Sequence, residues 1–249
     1  MRDELIKRFN NLLDISDFSD YCPNGLQVEG KKDVYKIGFA VSASLAAILE
    51  AKRRKVDLLV VHHGIFWDKD PYPLVGWKKE RVMTLLESGI SLAAYHLPLD
   101  AHLQLGNNWK AAKDLGWQHL APFGLFGKRE IGVKGVFSPC PVSQFQEGLE
   151  SYYGHKAHVA LGGKPTISSA ALISGGAHRS IEMAADAGVD CFITGSFDEM
   201  IWDLAFERQI HFFALGHYAT EQVGVLSLMK YVEKEWQIPC EWIDLFNPF

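Results

Sequence analysis

Cysteine is scarce in this sequence. Cys22, Cys140, Cys191 and Cys240 are the only four in 249 residues, they lie far apart, and no C-x-x-C pair occurs. That spacing speaks against a thiolate zinc site and supplies no disulfide framework, so a reduced, cytoplasmic protein is expected. No apolar run reaches the roughly 18 residues a membrane span needs, so no membrane partner is expected. The opening stretch "MRDELIKRFNNLLD" is charged and amphipathic, and it lacks the apolar core and small-residue cleavage site of a secretory signal. A basic excess is missing as well: 25 Lys and Arg stand against 30 Asp and Glu, a net charge of −5. Affinity for nucleic acid phosphates calls for the opposite balance. A local basic run such as Lys52-Arg53-Arg54-Lys55 reads as the solvated end of a helix.

What is present is 48% hydrophobic residues arranged in alternating helix and strand patterns. Leu5, Ile6, Phe9, Leu12 and Leu13 have helical spacing. "KIGFAVSAS" reads as a strand, "SLAAILEAKRRK" as a helix N-capped by Ser44, and "VDLLVV" as a second strand. Further on, "ISSAALISGG", "SIEMAADAG" and "VDCFITG" repeat that order. At an offset of 133, Ile37 meets Ala170, Phe39 meets Leu172 and Asp57 meets Asp190. "ISLAAYHLPLD" and "HFFALGHYATE" align at an offset of 121, which pairs His96 with His217 and Asp100 with Glu221. The change of offset implies a 12-residue insertion in the first half, placed in the aromatic loop from Gly64 to Trp77. The expected fold is α/β, two similar units related by internal duplication. Residues 1–125 form the first, residues 126–249 the second, and a C-terminal segment from about 225 packs back on the first.

The duplicated units carry chemistry at their strand ends. "VVHHG" places His62 and His63 after an apolar strand, His96-Leu97-Pro98-Leu99-Asp100 follows another, and Gly216-His217-Tyr218-Ala219-Thr220-Glu221 follows a third. Ligands in parallel α/β sheets gather at the carboxyl ends of strands. Side chains alternate along a strand, so His62 and His63 should diverge and each face a different ion. Mixed imidazole and carboxylate donors suit zinc, manganese or iron. A carboxylate can bridge two divalent ions, and such pairs activate water for hydrolysis. Each residue also has an ordinary use: Asp100 as a cap for the helix at "NNWKAAKDLG", Glu221 as a first-turn acid. Three other stretches are open to two uses. Ser174-Gly175-Gly176-Ala177-His178 is either an anion cradle or a tight turn. Asn24 and Gln27 either reach the metal cleft or bond within their loop. Phe66 and Trp67 either stack on a base or are buried in the insertion or at a subunit contact.

Five motifs, "SDYCPNGLQVEG", "VVHHGIFW", "AYHLPLDAHLQLGNN", "DCFITG" and "GHYATE", occur in an order and spacing that resemble the bacterial GTP cyclohydrolase I type 2 family, also called the NIF-three-like family. The resemblance runs from Asp17 to the C-terminal "IDLFNPF". It implies a duplicated NIF-three-like α/β fold, a centre of two divalent metal ions and a toroidal homohexamer, a trimer of dimers. It implies that His62 and His63 bind different ions, that Asp100 joins the first and His217 the second, and that Glu221 bridges them. His96 is expected beside the site, and His96 or Tyr218 is the candidate for proton transfer. The expected function is a metal-dependent hydrolase acting on a nucleotide or related heterocycle. The alternative is a non-enzymatic metal-binding or metal-trafficking protein. A ring-shaped nucleic-acid-associated protein is a third option, which the acidic balance disfavours.

Overall fold

In the computed structural model, which describes residues 1–249, the apolar runs become strands of two separate sheets. Along the chain come α1 (Arg2–Leu12), β1 (Gly25–Val28), β2 (Ile37–Ser42), α2 (Leu45–Arg53), β3 (Leu58–His63), α3 (Gly76–Ser88) and β4 (Ser91–Ala94). Next are α4 (Leu97–Ala101), α5 (Asn107–Asp114), β5 (Gln118–Phe126), β6 (Arg129–Pro141), α6 (Val142–Tyr153), β7 (His158–Leu161) and β8 (Thr166–Leu172). The remainder is α7 (Ile181–Asp186), β9 (Cys191–Thr194), α8 (Met200–Glu207), β10 (His211–Ala214), α9 (His217–Tyr231) and β11 (Cys240–Trp242). No helix is long and apolar enough to cross a membrane.

By packing, the chain divides into unit 1, Met1–Leu99 with Gly224–Phe246, and unit 2, Asp100–Val223 with Asn247–Phe249. The division precedes α5 rather than falling at 125. Ala111 and Ala112 of that helix are buried with Val133 and Leu172 in the core of unit 2.

Unit 1 holds the sheet β1-β4-β3-β2-β11. Strands β2, β3, β4 and β11 are parallel and β1 is antiparallel to β4. Nearly every residue of β2 and β3 is buried, as expected of parallel strands covered on both faces. Ala40, Leu59 and Val61 meet Ile48, Ala51, Val82 and Leu85 of α2 and α3 in one cluster. A second group is aromatic: the Phe9 ring lies 6.4 Å from Phe39, 5.6 Å from Tyr95 and 4.6 Å from Trp236. Ser44 caps α2 as expected, its Oγ accepting from Ala47 N–H at 3.1 Å.

Unit 2 holds the sheet β5-β6-β8-β9-β10-β7. Strands β8, β9 and β10 are parallel, β7 runs antiparallel to β10, and β6 runs antiparallel to β8. Strand β7 therefore matches β1, and β8, β9 and β10 match β2, β3 and β4. The match extends to single hydrogen bonds. Asp57 Oδ2 accepts from the N–H groups of Tyr35 and Lys36 at 2.9 and 3.0 Å. Asp190 Oδ2 accepts from Ser168 and Ser169 at 2.8 and 3.0 Å, each partner 133 positions later.

Strand register corrects one detail of the alignment. Leu58 pairs with Ser91 and Cys191 with His211, so the offset across β4 and β10 is 120, not 121. The additional residue is Gly216, at φ +88°, between β10 and His217. Its left-handed backbone suits glycine, and it restores the offset of 121 at the two His-x-x-x-acid motifs.

Burial pushes the Asp190 carboxyl up, but the bonds from Ser168 and Ser169 outweigh it and hold the group below its ordinary value. A depressed folded value stabilises fully above about pH 4, and the stabilisation is lost as pH falls through the lower folded value. Asp190→Ala is expected to cost about 2–3 kcal/mol at neutral pH, since hydrogen bonds to a charged group contribute roughly 1.5–3 kcal/mol. The difference from the native protein should narrow below pH 4, as read by urea melts at stepped pH. A constant difference from pH 7 to 3 would assign the loss to packing.

Candidate metal centre

Unit 1 gathers three of the four motif histidines. His62 and His63 are the last two residues of β3, and His96 follows β4 and directly precedes α4. Their ring centroids are 4.7 Å (His62–His63), 5.0 Å (His62–His96) and 5.7 Å (His63–His96) apart. One ring nitrogen from each lies within 4.8 Å of the others. Strand alternation predicts more divergence than this. The Nδ1 atoms do turn to opposite neighbours, His62 to Tyr95 after β4 and His63 to Ser42 on β2. At this last step of β3, however, the two ring centroids still come within 4.7 Å of each other.

These anchors decide the tautomers. His62 is fully buried, and its Nδ1–H donates to the Tyr95 carbonyl at 3.0 Å. A carbonyl only accepts, so the lone pair of neutral His62 is on Nε2. His96 Nδ1 faces Asp20 Oδ1 at 2.8 Å, which likewise puts the proton on Nδ1. The Ser42 hydroxyl, 3.1 Å from His63 Nδ1, takes either role and permits the same tautomer. Carboxylate or carbonyl support behind an imidazole is the usual arrangement behind metal-ligating histidines.

Asp20 and Cys22 also lie within metal-ligand distance of His96, but Asp20 is fully engaged. Its Oδ1 accepts from Tyr21 N–H at 2.7 Å as well as from His96. Its Oδ2 accepts from Asn24 Nδ2 at 2.9 Å and Leu97 N–H at 3.0 Å. Four donors fill the lone pairs of a carboxylate, so Asp20 orients His96 rather than holding an ion. Burial raises the Asp20 carboxyl, and the bond and charge of His96, with Asn24 and Leu97, reverse this and leave it below its ordinary value. Asn24 completes the brace by accepting from His96 N–H at 2.8 Å. Gln27 ties its loop to the histidine loop, accepting from Ile65 N–H at 2.8 Å and donating to the Pro23 carbonyl at 2.9 Å. Both therefore bond within the protein. Phe66 packs on the unit 1 core, whereas Trp67 lies 5.2 Å from His96 and 5.8 Å from His63.

Unit 2 gathers His217, Glu221 and Asp100. His217 and Glu221 occupy successive turns of α9, and Nε2 and Oε1 are 3.2 Å apart. Two donors each about 2.1 Å from one tetrahedral ion are about 3.4 Å apart, so this spacing fits a shared ion. The other nitrogen of His217 meets Ser196 Oγ at 3.2 Å. Asp100 is buried, and its Oδ1 accepts from Asn107 Nδ2 at 2.8 Å and Ser174 Oγ at 2.9 Å. It does not cap α5 through a backbone N–H; Gly106 stands at that N-cap. Tyr218 N–H donates to the Phe249 carbonyl at 2.7 Å, and its side chain is largely buried. At the Ser174–His178 turn, Gly175 N–H already donates to Thr220 Oγ1 at 3.0 Å, so the tight turn describes it better than an open cradle.

The donor sets of the two units, imidazole nitrogens in unit 1 and an imidazole with buried carboxylates in unit 2, fit divalent ions of the zinc, manganese or iron type. Sequence reasoning missed Asp20, Ser42, Ser196 and Asn107, which support the motif residues, and it singled out the Ser174–His178 turn without linking Ser174 to Asp100.

A sequence model of the family described as Duf34/NIF3 (NGG1p interacting factor 3) matches residues 1–247. The GTP cyclohydrolase 1 type 2 homolog of Chlamydia pneumoniae is 48% identical, over 99% of this chain and 98% of its own. Among solved structures, protein ybgI, described as of unknown function, superimposes with a TM-score of 0.93 at 37% identity, covering 100% of this chain and 99% of its own. TTHA1606 of Thermus thermophilus gives 0.91 at 37% identity, with the same coverage.

Proposed function

The chain belongs to the Duf34/NIF3 family, and from that premise we propose that it binds two divalent metal ions and uses them for hydrolysis of a nucleotide or related heterocycle. The observation that carries this is the clustering of one ring nitrogen each from His62, His63 and His96 within 4.8 Å, with Nδ1 of His62 and of His96 anchored to a carbonyl and a carboxylate so that their lone pairs fall on Nε2. His62, His63, Asp100 and His217 would hold the ions, and Glu221 would bridge them. When bound, such ions polarise an electrophile and lower the pKa of coordinated water.

The chain's own side chains do the rest. The Tyr95 main-chain carbonyl and the Ser42 hydroxyl keep His62 and His63 in register. Asp20 holds the Nδ1 proton of His96, so that Nε2 is the atom able to take a proton from a nucleophile or return one to a leaving group. Tyr218, adjacent to His217 on α9, is the second candidate for that transfer. Trp67 packs its ring beside His63 and His96. The name carried by the curated relatives points to GTP or a similar purine compound as substrate. The assembly proposed with this function is a homohexamer, a trimer of dimers, in the cytoplasm.

The test is metal analysis of protein purified without chelator, followed by a turnover screen of nucleotides with Glu221→Ala as control. Two ions per chain and turnover abolished by chelation and by the substitution are expected. Ready transfer of metal to an acceptor, without turnover of any nucleotide, would favour the trafficking alternative.

A further inference from the structure

The Ser174–Gly175 turn sits where β8 hands over to the segment before α7, and it stands against both carboxylates of unit 2. Two sets of contacts show what they do. Ser174 Oγ donates to Asp100 Oδ1 at 2.9 Å, and Ser174 N–H donates to Asn108 Oδ1 at 2.7 Å. Asn108 in turn donates to the Ile131 carbonyl at 2.7 Å and to the Asp100 carbonyl at 3.3 Å. Asn107, fully buried, places its amide on the same Asp100 oxygen at 2.8 Å. One oxygen of Asp100 is thereby committed to two protein donors.

The next residue serves the other carboxylate. Gly175 has φ +69°, and a Cβ built there would lie 2.2 Å from Glu221 Oε1 and 3.2 Å from His217 Nε2. The turn is locked: Gly175 N–H donates to Thr220 Oγ1 at 3.0 Å, and its carbonyl accepts from Thr194 Oγ1 at 3.0 Å and Gly195 N–H at 2.9 Å. Only a residue without a side chain lets the Glu221 carboxylate stand against this backbone.

We propose that Ser174 and Gly175, with Asn107, are positioning residues that set the two carboxylates of unit 2: Ser174 and Asn107 reserve Oδ1 of Asp100 so that it ligates through Oδ2 alone, and Gly175 clears the space in which Glu221 bridges. This rests on the metal-binding function proposed above.

Ser174→Ala removes one donor and leaves the backbone bonds, and Ser174→Thr keeps the hydroxyl. The probe is cobalt(II), titrated into metal-stripped protein and followed by its visible absorption and by chelator competition. Ser174→Ala is expected to weaken cobalt binding about 10–100-fold, the usual effect of losing a partner behind a ligand. It should also change the absorption band, while the metal-free protein melts as the native one does. Ser174→Thr is expected to restore both. Gly175→Ala, which crowds the Glu221 carboxylate, is expected to weaken the binding of both cobalt equivalents. Native affinity and an unchanged band in Ser174→Ala would overturn the inference, as would a loss matched by an equal fall in the metal-free melting temperature that Ser174→Thr fails to reverse. A native protein that binds no cobalt would overturn the metal-binding function itself, and the inference with it.

Discussion

On the proposed bridging role, Glu221→Ala is expected to retain well under one equivalent of metal per chain, against the two proposed for the native protein. A bridge serves both ions, so its removal weakens both, by more than the roughly 10–100-fold that losing an outer partner costs. Glu221 is 3% exposed, and beside it stands the bare α-carbon of Gly175. Alanine therefore fits without collision, and the effect should be on metal rather than on folding. His63→Ala is expected to behave differently, releasing one ion far more readily than the other. Elemental analysis after dialysis, together with melts of the metal-free proteins, separates these outcomes. Equal and complete loss of both ions in the two variants would contradict a bridging role peculiar to Glu221.

Phe39→Ala is expected to lower stability by about 3–5 kcal/mol, the range for deleting a buried aromatic ring. In a chain of this size that corresponds to a fall of roughly 6–20 °C in melting temperature. Phe39 is fully buried on β2 and its ring lies 6.4 Å from Phe9, so the void would open inside unit 1. Leu125, 61% exposed on β5, is the comparison: alanine there is expected to change stability by less than about 0.5 kcal/mol. Calorimetry of the two variants decides this, and similar melting temperatures would place Phe39 outside the cooperative core.

The duplication and the motif residues are legible because they are written locally. Apolar runs of strand length followed by histidine, and a His-x-x-x-acid spacing, need no knowledge of distant residues. The supports are long-range and leave little local trace. Asp20 meets His96 across 76 positions and Ser174 meets Asp100 across 74; the glycines after Ser174 mark a turn, but nothing local names either partner. Strand β1 reads as part of a turn-rich loop because Pro23-Asn24-Gly25 dominates the stretch, while its pairing with β4 is set by tertiary contact. The long hairpin of β5 and β6 shows only as short strand signals, since glycines at 124, 127, 132 and 135 interrupt its pattern. The one-residue shift at Gly216 is invisible for another reason: an alignment anchored on the histidines absorbs it, and only strand register exposes it.

The return of residues 224–246 to unit 1 has a consequence for biosynthesis. Strand β2 takes β11 as its parallel neighbour, Cys240 opposite Ile37, and Phe9 takes Trp236 against its ring. On the ribosome, the half made first must wait for the segment made last, with one edge of its sheet open and an aromatic face uncovered. The body of unit 2, continuous from Asp100 to Val223 and lacking only Asn247–Phe249, emerges earlier and can form its sheet beforehand. Order of synthesis and order of completion are therefore opposite, and the interval between them is when the nascent chain is most exposed to aggregation and to chaperones that recognise apolar surface.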